Sequence, residues 1–419
     1  MPAPNPDSLA CGLDFGTSNS TLGLGGALIA LEGASPTLPS AVFWEVDGGP
    51  PLFGRAAIAA YLEGEEGRLL RGLKSTLGSG LVQERTRIGN RAVSFREVLA
   101  RFLGHMKATA ERQAGQSLTR AVMGRPVHFV DDDAEADRTA EGVLAEIARE
   151  IGFTEVGFQY EPIAAALDYE TRAVAEELVL IVDIGGGTSD FSVVRVGPGR
   201  GAQADRAGDI LANDGIRLGG TDFDRAFSLA EVMPDLGYLA PTRGGQGTMP
   251  RHYYLDLATW HRINSLYTAQ VMADMKALLH EADRPELIAR MIAVLEGRHG
   301  HALALEVEGA KIALSGTEAA RLSLRALTGG GNRVVQRAAL EAALAAPVAR
   351  VADRIAKVLA DAGLRADQIG TVFLTGGSSA PALLGGPGGT GFPRPPLARG
   401  DNLASVGTGL ALDAQRRFR

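Results

Sequence analysis

The chain has 419 residues, 45% of them apolar and 22% charged, with a formal net charge of -7. That length exceeds one ordinary core, so two or more domains are expected, in a globular rather than disordered chain. The acidic balance argues against a general nucleic-acid or membrane-surface binder, and the single cysteine, Cys11, excludes an intrachain disulfide.

In chain order, residues 11–24 alternate as strand, turn and strand, and 41–46 form a further strand after a turn at 36–39. Residues 55–62 and 94–114 have helical spacing. Residues 121–130 read as a strand interrupted by Pro126, and 132–151 as a helix whose acidic first turn suits the macrodipole. An Ala-rich helix spans 161–169, with Pro162 near its start, where proline is tolerated. Residues 178–196 repeat the strand-turn-strand pattern, and 217–233 read as a turn and a helix. Residues 252–299 are largely helical and polar, with Trp260, Tyr267 and Met272 facing inward. A helix at 302–314 and a strand at 321–326 precede a long Ala-rich helix at 333–362, kinked or broken at Pro347. A buried strand at 371–375 leads into Gly376-Gly377, a Gly/Pro loop covers 385–396, and a terminal helix spans 403–418. The class is alternating α/β with antiparallel hairpins, not a simple doubly wound sheet. No apolar run approaches the ~20 residues that span a bilayer. Residues 9–12 superficially resemble a lipoprotein cleavage site, but no basic start or apolar run precedes them. The expected location is the cytoplasm.

A repeat decides the organisation. Leu13-Asp14-Phe15-Gly16 and Val182-Asp183-Ile184-Gly185 share the pattern apolar-Asp-apolar-Gly, and each runs through small residues into another strand. Two copies of one device imply two related lobes that each supply half a site. A phosphate chain needs donors that approach without side-chain bulk, and glycine-rich turns let backbone N–H groups converge on oxygen. Gly185-Gly186-Gly187-Thr188 meets that need, and Gly16-Thr17-Ser18-Asn19 meets it with added hydroxyls. An Asp at each strand end would repel phosphate unless a hydrated Mg²⁺ lay between them. Asp14 and Asp183, with Asp190 as a third, are therefore expected to hold Mg²⁺ through its waters. The sequence lacks G-x-x-x-x-G-K-[ST] and any zinc-ligand spacing, and its seven histidines are scattered.

These motifs resemble the DnaK-type seventy-kilodalton heat-shock chaperone family. The run from Gly12 to Ser20 looks like the family's first phosphate motif, and Asp183 to Asp190 like its second. Tyr160-Glu161-Pro162 and the alanines after it resemble the helix connecting the lobes, and Leu218-Gly219-Gly220-Thr221-Asp222-Phe223-Asp224 the Gly-Gly-x-Asp-Phe-Asp turn. Glu308, Lys311 and Ser315 resemble the ribose-contacting helix, and Gly376-Gly377-Ser378 the adenosine motif. The order is the family's from about residue 11 to 412, and the Tyr253-to-Trp260 stretch looks nearest to the YegD-like chaperone homologues.

The resemblance implies an actin-like ATPase fold: two lobes with duplicated β-sheet cores around a nucleotide cleft. The implied boundaries are lobe I at 1–168, lobe II at 169–372 with a helical subdomain at about 225–320, and 373–419 returning toward lobe I. It implies that Lys74 orients the attacking water, that Glu161 lies near the Mg²⁺ shell, and that Thr17 and Thr188 contact phosphate. The implied catalytic set is Lys74, Glu161, Asp183 and Thr188, acting on ATP by positioning and charge stabilisation. Two departures stand out. Ile312 and Ala380 occupy the places where the family puts the arginines that sandwich adenine, so a weaker cation–π contact with the base is expected. The chain also stops at Arg419, soon after the last expected ATPase helix, so no peptide-binding domain is expected. The expected function is a chaperone-like ATP-binding and ATP-hydrolysing switch that closes its lobes on ATP and presents a surface to a partner protein, with no nucleic-acid or membrane partner. The alternatives are an actin-fold small-molecule kinase and a nucleotide-binding scaffold with little turnover, and fold alone does not choose among them.

Overall fold

Two hairpins organise the chain. Leu9–Asp14 pairs antiparallel with Asn19–Leu24, and Glu177–Ile184 pairs the same way with Ser189–Val196, which sets Asp183 opposite Asp190. The computed structural model describes residues 9–78, 80–130, 133–200, 207–245, 247–324, 331–377, 397–399 and 404–418.

Each hairpin seeds a mixed sheet. In the first, Leu118–Arg125 lies parallel to Leu9–Asp14, and Glu155–Tyr160 lies parallel to Leu118–Arg125. In the second, Thr371–Thr375 lies parallel to Glu177–Ile184, Leu397–Arg399 parallel to that strand, and Ile210–Ile216 closes the far side antiparallel to Ser189–Val196. A parallel neighbour cannot be reached by a tight turn, so the chain crosses over through a helix. Ala134–Glu150 makes that crossover between Leu118–Arg125 and Glu155–Tyr160. It starts at Asp133, whose side chain accepts from the N–H groups of Glu135 and Ala136.

The described chain divides into two compact units. The first carries both sheets: it runs up to Gly219 and also holds residues 351–377 and the terminal helix Ser405–Arg417. The second runs from Gly220 to Arg350. It contains the helices Gly220–Glu231, Arg251–Leu257, Ala269–Glu281, Pro285–Glu296 and Gly300–Leu314, plus the hairpin of Ala319–Ser323 with Asn332–Gln336. No helix among the described residues is long and apolar enough to cross a membrane.

Two helices join the sheets of the first unit. Ser405–Arg417 lies on the first hairpin, and Glu161–Glu170 lies on the second. Ile163, Ala164, Ala165 and Ala166 form one buried cluster with Val406, Leu410 and Ala414, with Val122 of the first sheet and with Val179, Ile181 and Val194 of the second. The helices meet at backbone distance, since a Cβ on Gly409 would lie 1.7 Å from the Ala164 carbonyl oxygen. Glycine at 409 is thus a packing requirement.

The structure corrects several expectations. The strand expected at 121–130 runs from Leu118 to Arg125, because Pro126 has no N–H to continue the ladder. Helix Arg337–Asp361 runs unbroken through Pro347; Leu340, Leu344, Val351, Ile355 and Val358 are buried at helical spacing along it and outweigh one missing hydrogen bond. The first residues of the expected long helix belong instead to strand Asn332–Gln336, and its partner strand is Ala319–Ser323. Trp260, Tyr267 and Met272 are only half-buried, while Tyr254, Ile263, Leu266 and Met275 fill the interior. Strands Glu155–Tyr160, Ile210–Ile216 and Gly67–Arg71 were not legible in the sequence. The loop at 385–396 lies outside the described residues.

Gly409→Ala tests the helix contact. Alanine is the better helix former by about 1 kcal/mol, yet overpacking against backbone costs about 1–3 kcal/mol or more. A lower denaturation midpoint is expected, and a higher one would contradict the close approach.

Candidate functional site

The site begins at a 3₁₀ turn, Leu73–Thr76, entered through Gly72 in the left-handed region (φ 66°). Leu73 is buried, which leaves Lys74 pointing into the protein at 5% exposure. A buried ammonium requires a partner. The Lys74 Nζ is paired with Oε1 of Glu161, the first residue of the helix joining the sheets. Burial by itself would lower the Lys74 pKa, but Glu161, Asp14 and Asp190 outweigh it and hold the group above its ordinary value, charged at neutral pH.

Three aspartates surround this pair. Asp14 ends the first strand of its hairpin, Asp183 is one residue from the end of the first strand of the other, and Asp190 faces Asp183 across the second hairpin. Asp183 and Asp190 are buried and Asp14 is half-buried. Burial, followed by the charge of Glu161, pushes all three carboxyls above the usual range, and Lys74 only partly opposes this. Asp190 is partly relieved by the Val127 N–H, which donates to its Oδ1 at 2.5 Å, and by a hydrogen bond with Thr188. Four carboxylates thus share one ammonium. The excess negative charge and the all-oxygen donor set fit a hard divalent cation such as Mg²⁺. Among the described residues no three acidic, His or Cys side chains converge as direct ligands, so a cation there would keep its own waters.

The two glycine turns face each other beside this cluster. A Cβ on Gly186 would lie 2.2 Å from the Ser18 Oγ, and one on Gly187 would lie 3.2 Å from Thr17. The first turn is braced by Ser40, whose Oγ donates to the Gly16 carbonyl at 2.7 Å and whose N–H donates to the Ser18 carbonyl at 2.9 Å. The second is closed by the Gly185 N–H donating to the Thr188 carbonyl at 2.9 Å. Gly219 packs on the backbone of Gly186 and Gly187, and Ser189 Oγ anchors the approach by donating to the Leu218 carbonyl at 2.7 Å. Gly376 has φ +83°, and a Cβ there would lie 2.3 Å from the Asp183 Oδ1. A side chain at Gly219 or Gly376 would meet backbone, and one at Gly186 or Gly187 would press on Ser18 or Thr17; such turns suit an anion bound through backbone N–H groups.

The structure thus gathers Asp14, Gly16, Thr17, Ser18, Asn19, Lys74, Glu161, Asp183, Gly185, Gly186, Gly187, Thr188, Asp190, Gly219, Gly376 and Gly377 in the first unit. Gly220, Glu308, Lys311 and Ser315 belong to the second. There Lys311 Nζ pairs with the Asp224 Oδ1 at 2.7 Å and donates to the Gly220 carbonyl at 3.1 Å, while Ser315 Oγ donates to the Ile312 carbonyl at 2.6 Å. Ile312 is exposed. Ser378 and Ala380 lie outside the described residues. The sequence reading missed Ser40 and the Val127 N–H. Pro126, which ends its strand one residue earlier, was the only signal of the second.

The family model described as Hsp70 protein matches residues 74–231 and 296–383, more than half of the chain. The chain belongs to the Hsp70 family. Its fold is accordingly the actin-like ATPase fold, an α/β architecture with duplicated sheets. This Hsp70-family chain is 32% identical over 247 residues to the chaperone protein HscA homolog of Methylobacillus flagellatus. That match covers 53% of this chain and 37% of the relative, little more than a third of its length.

If the buried carboxylates repel one another as the geometry implies, Asp183→Asn removes a destabilising charge. The variant, measured without nucleotide or divalent cation, is expected to melt higher by a few degrees, about 1 kcal/mol per pKa unit of relieved strain. An unchanged or lower melting temperature would contradict the charge imbalance.

Proposed function

We propose that this Hsp70-family chain binds ATP with Mg²⁺ at the two glycine turns and hydrolyses it, and that nucleotide state acts as a conformational switch read by a partner protein. The observation that carries this reading is the buried, charged Lys74–Glu161 pair, set among three aspartates beside two closely packed glycine turns.

In this reading backbone N–H groups of the turns 16–19 and 186–188 grip the phosphate chain, helped by the hydroxyls of Thr17, Ser18 and Thr188. Asp14, Asp183 and Asp190 hold the waters of the cation. Mg²⁺ neutralises phosphate charge that the acidic cluster would otherwise repel. Lys74 orients the attacking water and stabilises charge on the transferring phosphoryl group, and Glu161 keeps the Lys74 ammonium in place. From the family resemblance, Gly219, Gly220, Glu308, Lys311 and Ser315 serve the ribose side, and Gly376, Gly377 and Ser378 the adenosine. Lys311 and Ser315 would then exchange the internal partners they now have. With Ile312 in place of an arginine, the base is held less firmly than the phosphates. The same reading takes the protein as a YegD-like homologue acting in the cytoplasm.

Phosphate release measured with ATP, Mg²⁺ and no acceptor tests it. Wild-type turnover is expected, and Lys74→Ala is expected to slow it by about 10²–10³-fold while retaining nucleotide binding. Binding with no release would leave a scaffold, and release only with an added sugar or acid acceptor would point to a kinase.

A further inference from the structure

Arg125 is the last residue of its strand in the first sheet, and its guanidinium ties together more of the site's surroundings than its sequence position suggests. Its Nε donates to the Pro126 carbonyl at 3.0 Å, and its Nη2 donates to the Val127 carbonyl at 3.1 Å. On the other side Nη2 meets the Asp137 Oδ2 at 2.5 Å, and Nη1 pairs with Glu141. Asp137 and Glu141 are four apart, so they present both carboxylates from one face of helix Ala134–Glu150. Asp137 also accepts the Phe129 N–H at 2.6 Å. The segment 126–129 is therefore pinned to this helix at one end through the arginine fork and at the other through Asp137, which the fork also holds.

Two links run from that fork to the reacting groups. The Val127 N–H, between the two carbonyls Arg125 holds, donates to Asp190 of the second hairpin. The guanidinium also sits 5.1 Å from the ring centroid of Tyr160, its register partner in the neighbouring strand, and Tyr160 immediately precedes Glu161. Flat stacking and a five-donor fork are properties of arginine and not of lysine.

We propose that Arg125 is a positioning residue for the hydrolysis put forward above, fixing Asp190 through the 126–129 segment and Glu161 through Tyr160. It rests on the ATPase reading for its kinetic consequence, but its structural half stands apart. Arg125→Gln keeps length and polarity while removing the charge and the fork. In the full-length protein, amide exchange at Val127 and Phe129 is expected to speed up with exchange in the second hairpin unchanged. Single-turnover ATP hydrolysis is expected to fall about 10-fold or more, with the Kd for Mg-ATP changed less than about threefold. Arg125→Lys, which restores charge alone, is expected to recover little of the rate.

Wild-type turnover in Arg125→Gln, or full rescue by lysine, overturns the proposal. So does a rate loss matched by an equal loss of nucleotide affinity. Should Arg125→Gln not fold, Asp137→Asn removes one leg and leaves the arginine: faster Phe129 exchange and slower turnover support the proposal, and unchanged values refute it. If the wild type itself releases no phosphate, the ATPase reading fails, and exchange at Val127 alone decides whether Arg125 positions Asp190.

Discussion

Four carboxylates, three of them buried and one half-buried, held around a single ammonium are the constraint on which the rest of the structure depends. Like charges in a low-dielectric interior repel strongly, and each desolvated carboxylate adds its own penalty. Folding alone would select against the arrangement, because apolar residues in the same places would be more stable. Lys74 and the hydrogen bonds from Val127 and Thr188 relieve part of it. What remains is a site whose electrostatics favour a bound divalent cation. The stability withheld from the empty protein is then available as differential binding, which is the form in which a ligand can shift a conformational equilibrium.

Holding such a cluster requires rigid surroundings, and the packing supplies them. The three aspartates stand at or near the ends of hairpin strands, Glu161 begins a helix, and the hairpins are clamped by two helices that touch at backbone distance. Gly409 against Ala164 and Gly219 against Gly186 leave no slack for a side chain. The tolerance is set by atom contacts, and Glu161 begins one of those helices. The same economy lets the arginine proposed as a positioning residue reach the second hairpin through Val127 and the joining helix through Tyr160.

Much of this was legible in the sequence because the devices are local. The Asp-led Gly turns, the Pro162 helix start and the alternation of 178–196 each carry their signal within a few residues. The repeat of Asp14 and Asp183 gave the two matching hairpins. Other features were hidden because they are not local. The turn that buries Lys74 gave only a short match, and Glu155–Tyr160 and Ile210–Ile216 owe their strand state to neighbours far along the chain. Pro347 misled because burial along the rest of its helix outweighs one lost bond. Arg125 was invisible as a hub, since its partners come from the loop, the next helix and the adjacent strand.

The most direct measurement of the central claim is calorimetric titration of the protein with ATP, once with Mg²⁺ and once with the divalent cations chelated. A surplus of carboxylates beside a phosphate grip requires one saturable site whose affinity drops by at least about 10-fold when Mg²⁺ is removed. Absence of nucleotide binding, or an affinity indifferent to Mg²⁺, would contradict it.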